Sequence, residues 1–178
     1  MTDFAYLHNT SIRHTDVIVQ IVKLMGCNKY LELGIWNGSN ITKVSEVCGY
    51  CVGVDIKDER QYYNYVFKLN TTNNFFSENN ETFDIIFIDA DHNFESVKKD
   101  FESSIKILNK FGIILIHDTD PINEEYYQPC FCGDSYKITE WIEKNYLNLN
   151  VLTLPITEAG LTIVNRKTDR RVFNNKQI

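Results

Sequence analysis

Residues 30–55 read Y-L-E-L-G-I-W-N-G-S-N-I-T-K-V-S-E-V-C-G-Y-C-V-G-V-D, and this stretch decides the fold. Residues 30–33, apolar apart from Glu32, stop at Gly34 and read as a buried strand. Residues 34–38 make a glycine-bounded turn, 39–47 a short helix and 51–54 a second buried strand, closed by Asp55. A turn from strand into helix leaves unpaired backbone N–H groups that attract an anion. A carboxylate at the end of the next strand can accept the two hydroxyls of a ribose. The stretch therefore predicts a site for a ribose-bearing small molecule.

Upstream, residues 1–9 read as an arm carrying Phe4, Tyr6 and Leu7. Thr10 or Ser11 can cap a helix that reaches Met25, with Ile18, Ile21, Val22 and Met25 on one face and Gly26 as its stop. Downstream, 64–69 reads as an edge strand, and Thr72 as the cap of a short helix that buries Phe75 and Phe76. The run F-D-I-I-F-I at 83–88 is a central strand of a parallel sheet, ending in Asp89-Ala90-Asp91-His92. Phe94, Val97, Phe101, Ile105 and Leu108 recur at helical spacing. Residues 112–116 form another buried strand, ending in His117-Asp118-Thr119. A long loop at 122–133 precedes a helix at 135–145 and two strands, 151–154 and 161–165, close enough to pair antiparallel. This alternation predicts an α/β fold with a doubly wound, mostly parallel sheet and one antiparallel strand near its end. No repeat or second domain is visible, so residues 1–178 read as one domain, with 166–178 as a tail.

The net charge of -6 disfavours a phosphate backbone as partner, so no nucleic acid is expected. The one basic cluster, Arg166, Lys167, Arg170 and Arg171, reads as part of a solvated tail. No apolar run of membrane-spanning length and no leader pattern occurs, which predicts a soluble chain without a membrane partner. Five cysteines at irregular spacing suggest reduced thiols and a cytoplasmic setting. Cys48-x-x-Cys51 and Cys130-x-Cys132 are weak as a zinc set, because Cys48 ends a helix and Cys51 opens a strand, so the two are expected to face different ways.

Two ligands compete for the ribose site. A dinucleotide asks for G-x-G-x-x-G, whose middle glycine lets the backbone approach a pyrophosphate. Here bulky Trp36 stands at that position, which argues against a dinucleotide oxidoreductase. What remains, Glu32-x-Gly34-x-x-x-Gly38-Ser39, resembles the first motif of class I S-adenosylmethionine-dependent methyltransferases. The resemblance implies a Rossmann-like methyltransferase fold with a seven-stranded sheet and an antiparallel last strand. It also implies a glycine turn around the methionine part of the cofactor and Asp55 on its ribose. A second resemblance spans I-D-A-D-H-N-F-E-S-V-K-K-D-F and L-N-K-F-G-I-I-L-I-H-D-T. These segments look like the small-molecule O-methyltransferase branch, the catechol and macrolide-sugar type. Departures are Phe111, where a second glycine is usual, and His117-Asp118-Thr119, which lacks the full acid or amide set of the metal-dependent members.

Glu32–Gly38, Asp55, Asp89–His92 and His117–Asp118 all fall at the carboxyl ends of predicted strands, where such sheets bind ligands. The expected cofactor contacts are Glu32, Gly34, Trp36, Gly38, Ser39, Asp55, Thr72 and Asp89. Trp36 either shields the cofactor or packs in the core. Methyl transfer needs an aligned acceptor that loses a proton, which makes His92, His117 and Asp89 the catalytic candidates. Asp89 and Asp118 supply hard oxygen ligands for a divalent cation of the Mg type, or else hold the methionine ammonium and order a loop. Tyr126, Tyr127 and Phe131 are candidates for an aromatic lid over the acceptor. The expected partner is a small hydroxylated molecule, and a homo-oligomer is compatible with this reading. The alternative is a non-catalytic domain of the same fold.

Overall fold

In the computed structural model of the protein, described for residues 12–156 and 159–167, one seven-stranded sheet has the order β3-β2-β1-β4-β5-β7-β6. The strands are β1 (Lys29–Leu33), β2 (Tyr50–Asp55), β3 (Val66–Leu69), β4 (Phe83–Ile88), β5 (Leu108–His117), β6 (Leu149–Leu154) and β7 (Leu161–Arg166). Strands β3, β2, β1, β4 and β5 run parallel to one another, while β7 is antiparallel to both β5 and β6. The helices are α1 (His14–Met25), α2 (Ser39–Ser45), α3 (Thr72–Glu78), α4 (Phe94–Ile107) and α5 (Ile138–Asn145). This is the doubly wound architecture that the alternating pattern predicts.

Parallel strands covered on both faces must be apolar on both faces. Accordingly Tyr30, Leu31 and Leu33 of β1 and Ile85, Ile86 and Phe87 of β4 are wholly buried. Two cores follow, one on each side of the sheet. Phe75, Val97, Phe101, Ile138 and Ile142 fill the first, and Ile18, Val22, Ile41, Val44 and Cys48 the second. Phe101 packs edge-on against Trp141 and Tyr146 at centroid distances of 6.3 and 5.4 Å, which ties α4 to α5.

Several boundaries differ from the sequence reading. Helix α1 begins at His14, where Asp16 Oδ2 accepts the Arg13 N–H, so the expected cap at Thr10 or Ser11 lies outside the described residues, as does the arm. Gly26 ends α1 in the left-handed conformation, as predicted. Helix α3 is capped by Thr71, whose hydroxyl accepts the Asn74 N–H, and Thr72 is its first helical residue. Strand β5 runs back to Leu108 because the chain leaves α4 directly into extended backbone. Arg166 is not part of a solvated tail: its guanidinium donates to the carbonyls of Ile105, Leu108 and Asn109 and fastens β7 to the end of α4. Arg170 and Arg171 lie outside the described residues. Cys48 and Cys51 do not face different ways; with Cys27 they share one buried core, the Cys27 and Cys48 sulfurs 3.7 Å apart. Cys130 is exposed and Cys132 buried beside Asp118, and all five thiols are free. Among the described residues no helix is long and apolar enough to cross a membrane.

Replacing wholly buried Phe101 by Ala is expected to destabilise the fold by about 3–5 kcal/mol. The matched change at Leu24, 86% exposed, should fall within about 0.5 kcal/mol. Urea unfolding of both variants checks the contrast, and equal losses would contradict the core assignment.

Candidate active site

The carboxyl ends of β1, β2 and β4 open onto two adjoining cavities of about 430 and 580 Å³ that share Gly34, Asp55, Ile56 and Ala90 as walls. The first continues over the loop after β3, with Asn70–Asn73, to Ser96, Lys99 and Asp100 of α4. The second is bounded by Glu32, Trp36, Ser39, Asn40 and Asp89, and by Arg13 and His14 at the start of α1.

Asp55 organises the partition. Its Oδ2 accepts the N–H groups of Ile35 (3.0 Å) and Trp36 (2.9 Å), and its Oδ1 accepts the N–H of Lys57 (3.0 Å). The end of β2 is thereby tied to the turn after β1. Trp36 adopts a φ of 45°, a left-handed conformation uncommon for a bulky residue, and its side chain is 70% exposed. It lines the second cavity, which overturns core packing as its role. Gly34 (φ 81°) passes so close to the Asp89 carbonyl that a Cβ would overlap it. This glycine is required because β1 and β4 turn into their loops side by side. Gly38, the N-cap of α2, is likewise left-handed.

Glu32 is 1% exposed and lies beneath the turn. Its Oε2 accepts from the Tyr30 hydroxyl at 2.6 Å and the Asn40 amide at 2.5 Å. Burial pushes its carboxyl up to about 8, against the downward pull of those two donors. Glu32 therefore borders the second cavity chiefly by holding Asn40 and the first turn of α2 in place.

The ends of β4 and β5 bring four ionisable groups together. His117 Nδ1 lies 3.1 Å from Asp89 Oδ1 and 3.3 Å from Asp118 Oδ1, and His92 Nε2 lies 3.2 Å from Asp118 Oδ2. Asp118 has a φ of 58°. The Ser135 hydroxyl donates to its carbonyl at 2.8 Å, and the Cys132 thiol lies 3.8 Å from its Oδ1. Burial pushes the Asp118 carboxyl up, opposed by the nearby His117 and His92. Of the expected catalytic residues, Asp89 is the one on a cavity wall; His117 sits behind it, wedged against the rings of His14 and Phe87.

Asp89, His92 and Asp118 form the one group among the described residues with ligand atoms close enough for a metal ion, all within 4.8 Å of one another. The third ligand type is thus an imidazole. The Thr119 hydroxyl instead accepts from Thr162 at 2.8 Å, facing the sheet.

Other expected contacts sort by position. Thr72 and Asp55 line the first cavity; Ser39, Trp36 and Asp55 line the second. Tyr126 packs on Phe131 and Tyr127 stacks on Tyr136, and none of these lines either cavity. Sequence reasoning missed Arg13, His14, Asn40 and Asp100. The first two sit at a helix start read as lying further upstream. Asn40 and Asp100 were hidden on helix faces, although a carboxylate between Val97 and Phe101 on an otherwise apolar face was a visible signal.

The sequence profile of a family described as a methyltransferase domain matches residues 31–119, the segment from β1 through the Asp118 cluster. No curated protein matches the chain in sequence. Solved structures do match in fold. An O-methyltransferase from Bacillus cereus in complex with SAH aligns with a TM-score of 0.66 at 18% identity, over 92% of this chain and 86% of its own. The SAH-bound methyltransferase PaMTH1 of Podospora anserina aligns at 0.66 and 18%, over 94% and 89%. The O-methyltransferase TomG of Streptomyces achromogenes, involved in tomaymycin synthesis and solved with SAM, aligns at 0.64 and 12%, over 89% and 82%.

A carboxyl that titrates near 8 in the folded chain, against an ordinary 4.5, favours the fold below pH 4.5 and loses that contribution as pH rises to 8. Relative to Glu32→Gln, whose amide oxygen can accept from the same donors, the wild type should therefore lose thermal stability progressively from pH 4.5 to 8. Melting curves of both across this range check it; parallel profiles would show that Glu32 is ionised at its ordinary pH.

Proposed function

The chain belongs to the methyltransferase-domain family, and on that premise we propose that it moves the methyl group of S-adenosylmethionine to a hydroxyl of a small acceptor. The observation that carries this reading is the pair of cavities meeting at Gly34 and Asp55. A nucleoside fits the first, walled by hydroxyl and amide side chains. The amino-acid part fits the second, where Asp89 offers a carboxylate for an ammonium and Arg13 a guanidinium for a carboxylate. Asp55 accepts two N–H groups of the turn and that of Lys57, which fills three of its roughly four acceptor positions and leaves room for one ribose hydroxyl.

When bound, S-adenosylmethionine supplies a methyl carbon already activated by a sulfonium. The protein's own task is then to align an acceptor and remove its proton. Asp89 stands on the cavity wall for this, with His117 3.1 Å behind it to share the proton. Trp36, exposed at the mouth, excludes water from one side. The preference for an oxygen acceptor rests on the Asp89–His92–His117–Asp118 cluster, since a hydroxyl must be deprotonated to become a good nucleophile.

The same cluster favours a role for a hard divalent cation held by Asp89, His92 and Asp118. A cation there would lower the pKa of a chelated acceptor hydroxyl. Without it, the hydrogen-bonding contacts of the two imidazoles with Asp89 and Asp118 support a metal-free alternative with the same residues.

Calorimetry with S-adenosylhomocysteine tests the cofactor half: binding is expected, NAD should not bind, and Asp55→Ala should weaken S-adenosylhomocysteine at least about tenfold. Unchanged affinity in that variant would remove Asp55 from the ribose. Turnover across a panel of hydroxyl and amine acceptors tests the other half, and tight binding without any turnover would favour a non-catalytic domain. For the cation, Mg²⁺ or Mn²⁺ titrated into the wild type should release heat that Asp89→Asn abolishes. Activity untouched by both a chelator and that substitution would end the metal reading.

A further inference from the structure

The thiols at the amino ends of β1 and β2 have no part in the chemistry above. Cys27 lies between α1 and β1, Cys48 lies between α2 and β2, and Cys51 is the second residue of β2. All three are buried in one core. The Cys27 and Cys48 sulfurs stand 3.7 Å apart, in van der Waals contact. Each thiol is also anchored at a strand start, Cys27 at 3.5 Å from the Lys29 carbonyl and Cys48 at 3.7 Å from the Tyr50 carbonyl. Clustered thiols can hold a soft metal ion. Among the described residues, however, the three-ligand set close enough for an ion is Asp89, His92 and Asp118, and these thiols do not form a second. The close feature is a pair, and the chemistry open to a pair of thiols is oxidation to a disulfide.

Two further observations favour that chemistry. Cys27 forms part of the wall of a cavity of about 360 Å³ at this end of the sheet, made polar by Asn28, Asp84, Asn109 and Lys110. Cys48 does not line it, so one thiol of the pair faces the opening and the other backs it. Each cysteine also has a glycine beside it. Gly26 precedes Cys27 in the left-handed conformation, and Gly49 follows Cys48, where an added Cβ would meet nothing nearer than 3.9 Å. A disulfide needs its sulfurs about 2.05 Å apart. The backbone freedom of the two glycines allows that approach.

We propose that Cys27 and Cys48 form a reversible disulfide when hydrogen peroxide enters this cavity, and that the bridge staples the fold at the end of the sheet away from the ligand site. The Cys27 sulfur, as thiolate, attacks one peroxide oxygen. The O–O bond breaks, the departing hydroxide takes up the thiol proton as water, and a sulfenic acid remains. The Cys48 sulfur then attacks the Cys27 sulfur, the S–O bond breaks, and the Cys48 proton leaves with the oxygen as a second water. Two thiols have lost two electrons, and one peroxide has become two waters. Contact with Cys48 and burial push the Cys27 thiol up, so the reaction is slower than that of exposed Cys130. The bridge joins positions 21 apart and encloses β1, the glycine turn and α2 in one loop. Closing such a loop restricts the unfolded chain and so stabilises the folded one. The inference does not rest on the cofactor reading, because no step or readout involves that site.

The test uses Cys130→Ser, which removes the exposed thiol and with it the easiest bridge between molecules. Hydrogen peroxide should lower its free-thiol count by two and its mass by two hydrogens. Peptide mapping should join Cys27 to Cys48, and dithiothreitol should restore both thiols. The oxidised protein should melt roughly 5–10 °C above the reduced one. Adding Cys27→Ala should abolish the bridge and the shift. The other readouts need no change in the core and hold even if that variant fails to fold. A bridge mapped to Cys48 and Cys51, oxygen gained in place of hydrogen lost, or a Cys27–Cys48 bridge that leaves the melting temperature unchanged would each overturn the inference.

Discussion

The tie between the Asp55 carboxylate and the amides of Ile35 and Trp36 is the constraint on which the site depends. Two hydrogen bonds to an ionised acceptor, each of the stronger charge-assisted kind, join the ends of β1 and β2 across the loop that separates the cavities. They stabilise the left-handed backbone at Trp36 and present its ring to the cavity mouth. They also leave the turn with little freedom, since Gly34 is pressed against the Asp89 carbonyl on its other side. The turn therefore belongs to three strands at once. Its shape is set before any ligand arrives, which is what preorganisation means here.

Much of this was legible in the residues. The strand–turn–helix–strand pattern of 30–55 and the apolar runs at 83–88 and 112–116 identify the sheet because a two-sided parallel strand leaves few alternatives to continuous Val, Ile, Leu and Phe. The strand-end acids and histidines at 89–92 and 117–118 could be grouped because strand ends of one sheet share an edge. What could not be read was which side of each element those groups take. Glu32 falls within the motif and borders the second cavity, yet its carboxyl is spoken for beneath the turn by the Tyr30 hydroxyl and the Asn40 amide. His117 ends a strand and is screened behind Asp89. A one-residue shift of orientation in a strand moves a side chain to the other face, and no sequence period resolves that at a strand's last residue.

The cysteines make the same point from the packing side. Spacing alone separates Cys48 from Cys51, one at a helix end and one at a strand start. In three dimensions the short turn between them folds back, and Cys27 joins them from the end of α1. Free thiols are small and apolar enough to serve as filler where three elements converge, and that is how they are used here. The missed starts of α1 and α3 have a comparable origin. At α3 the adjacent Thr71 and Thr72 can each cap the helix and local sequence does not rank them, and at α1 the N-cap is Arg13, a residue type that does not mark a helix start.

The segment from 122 to 135 has a consequence beyond its own shape. The Asp134 N–H donates to the His92 carbonyl, the Asp134 carboxylate accepts the Phe94 N–H, and Ser135 and Cys132 fix Asp118. The segment is thus the mounting of His92 and Asp118. A change that reshapes the segment therefore also re-aims the His92 imidazole and the Asp118 carboxylate, so the two cannot vary independently.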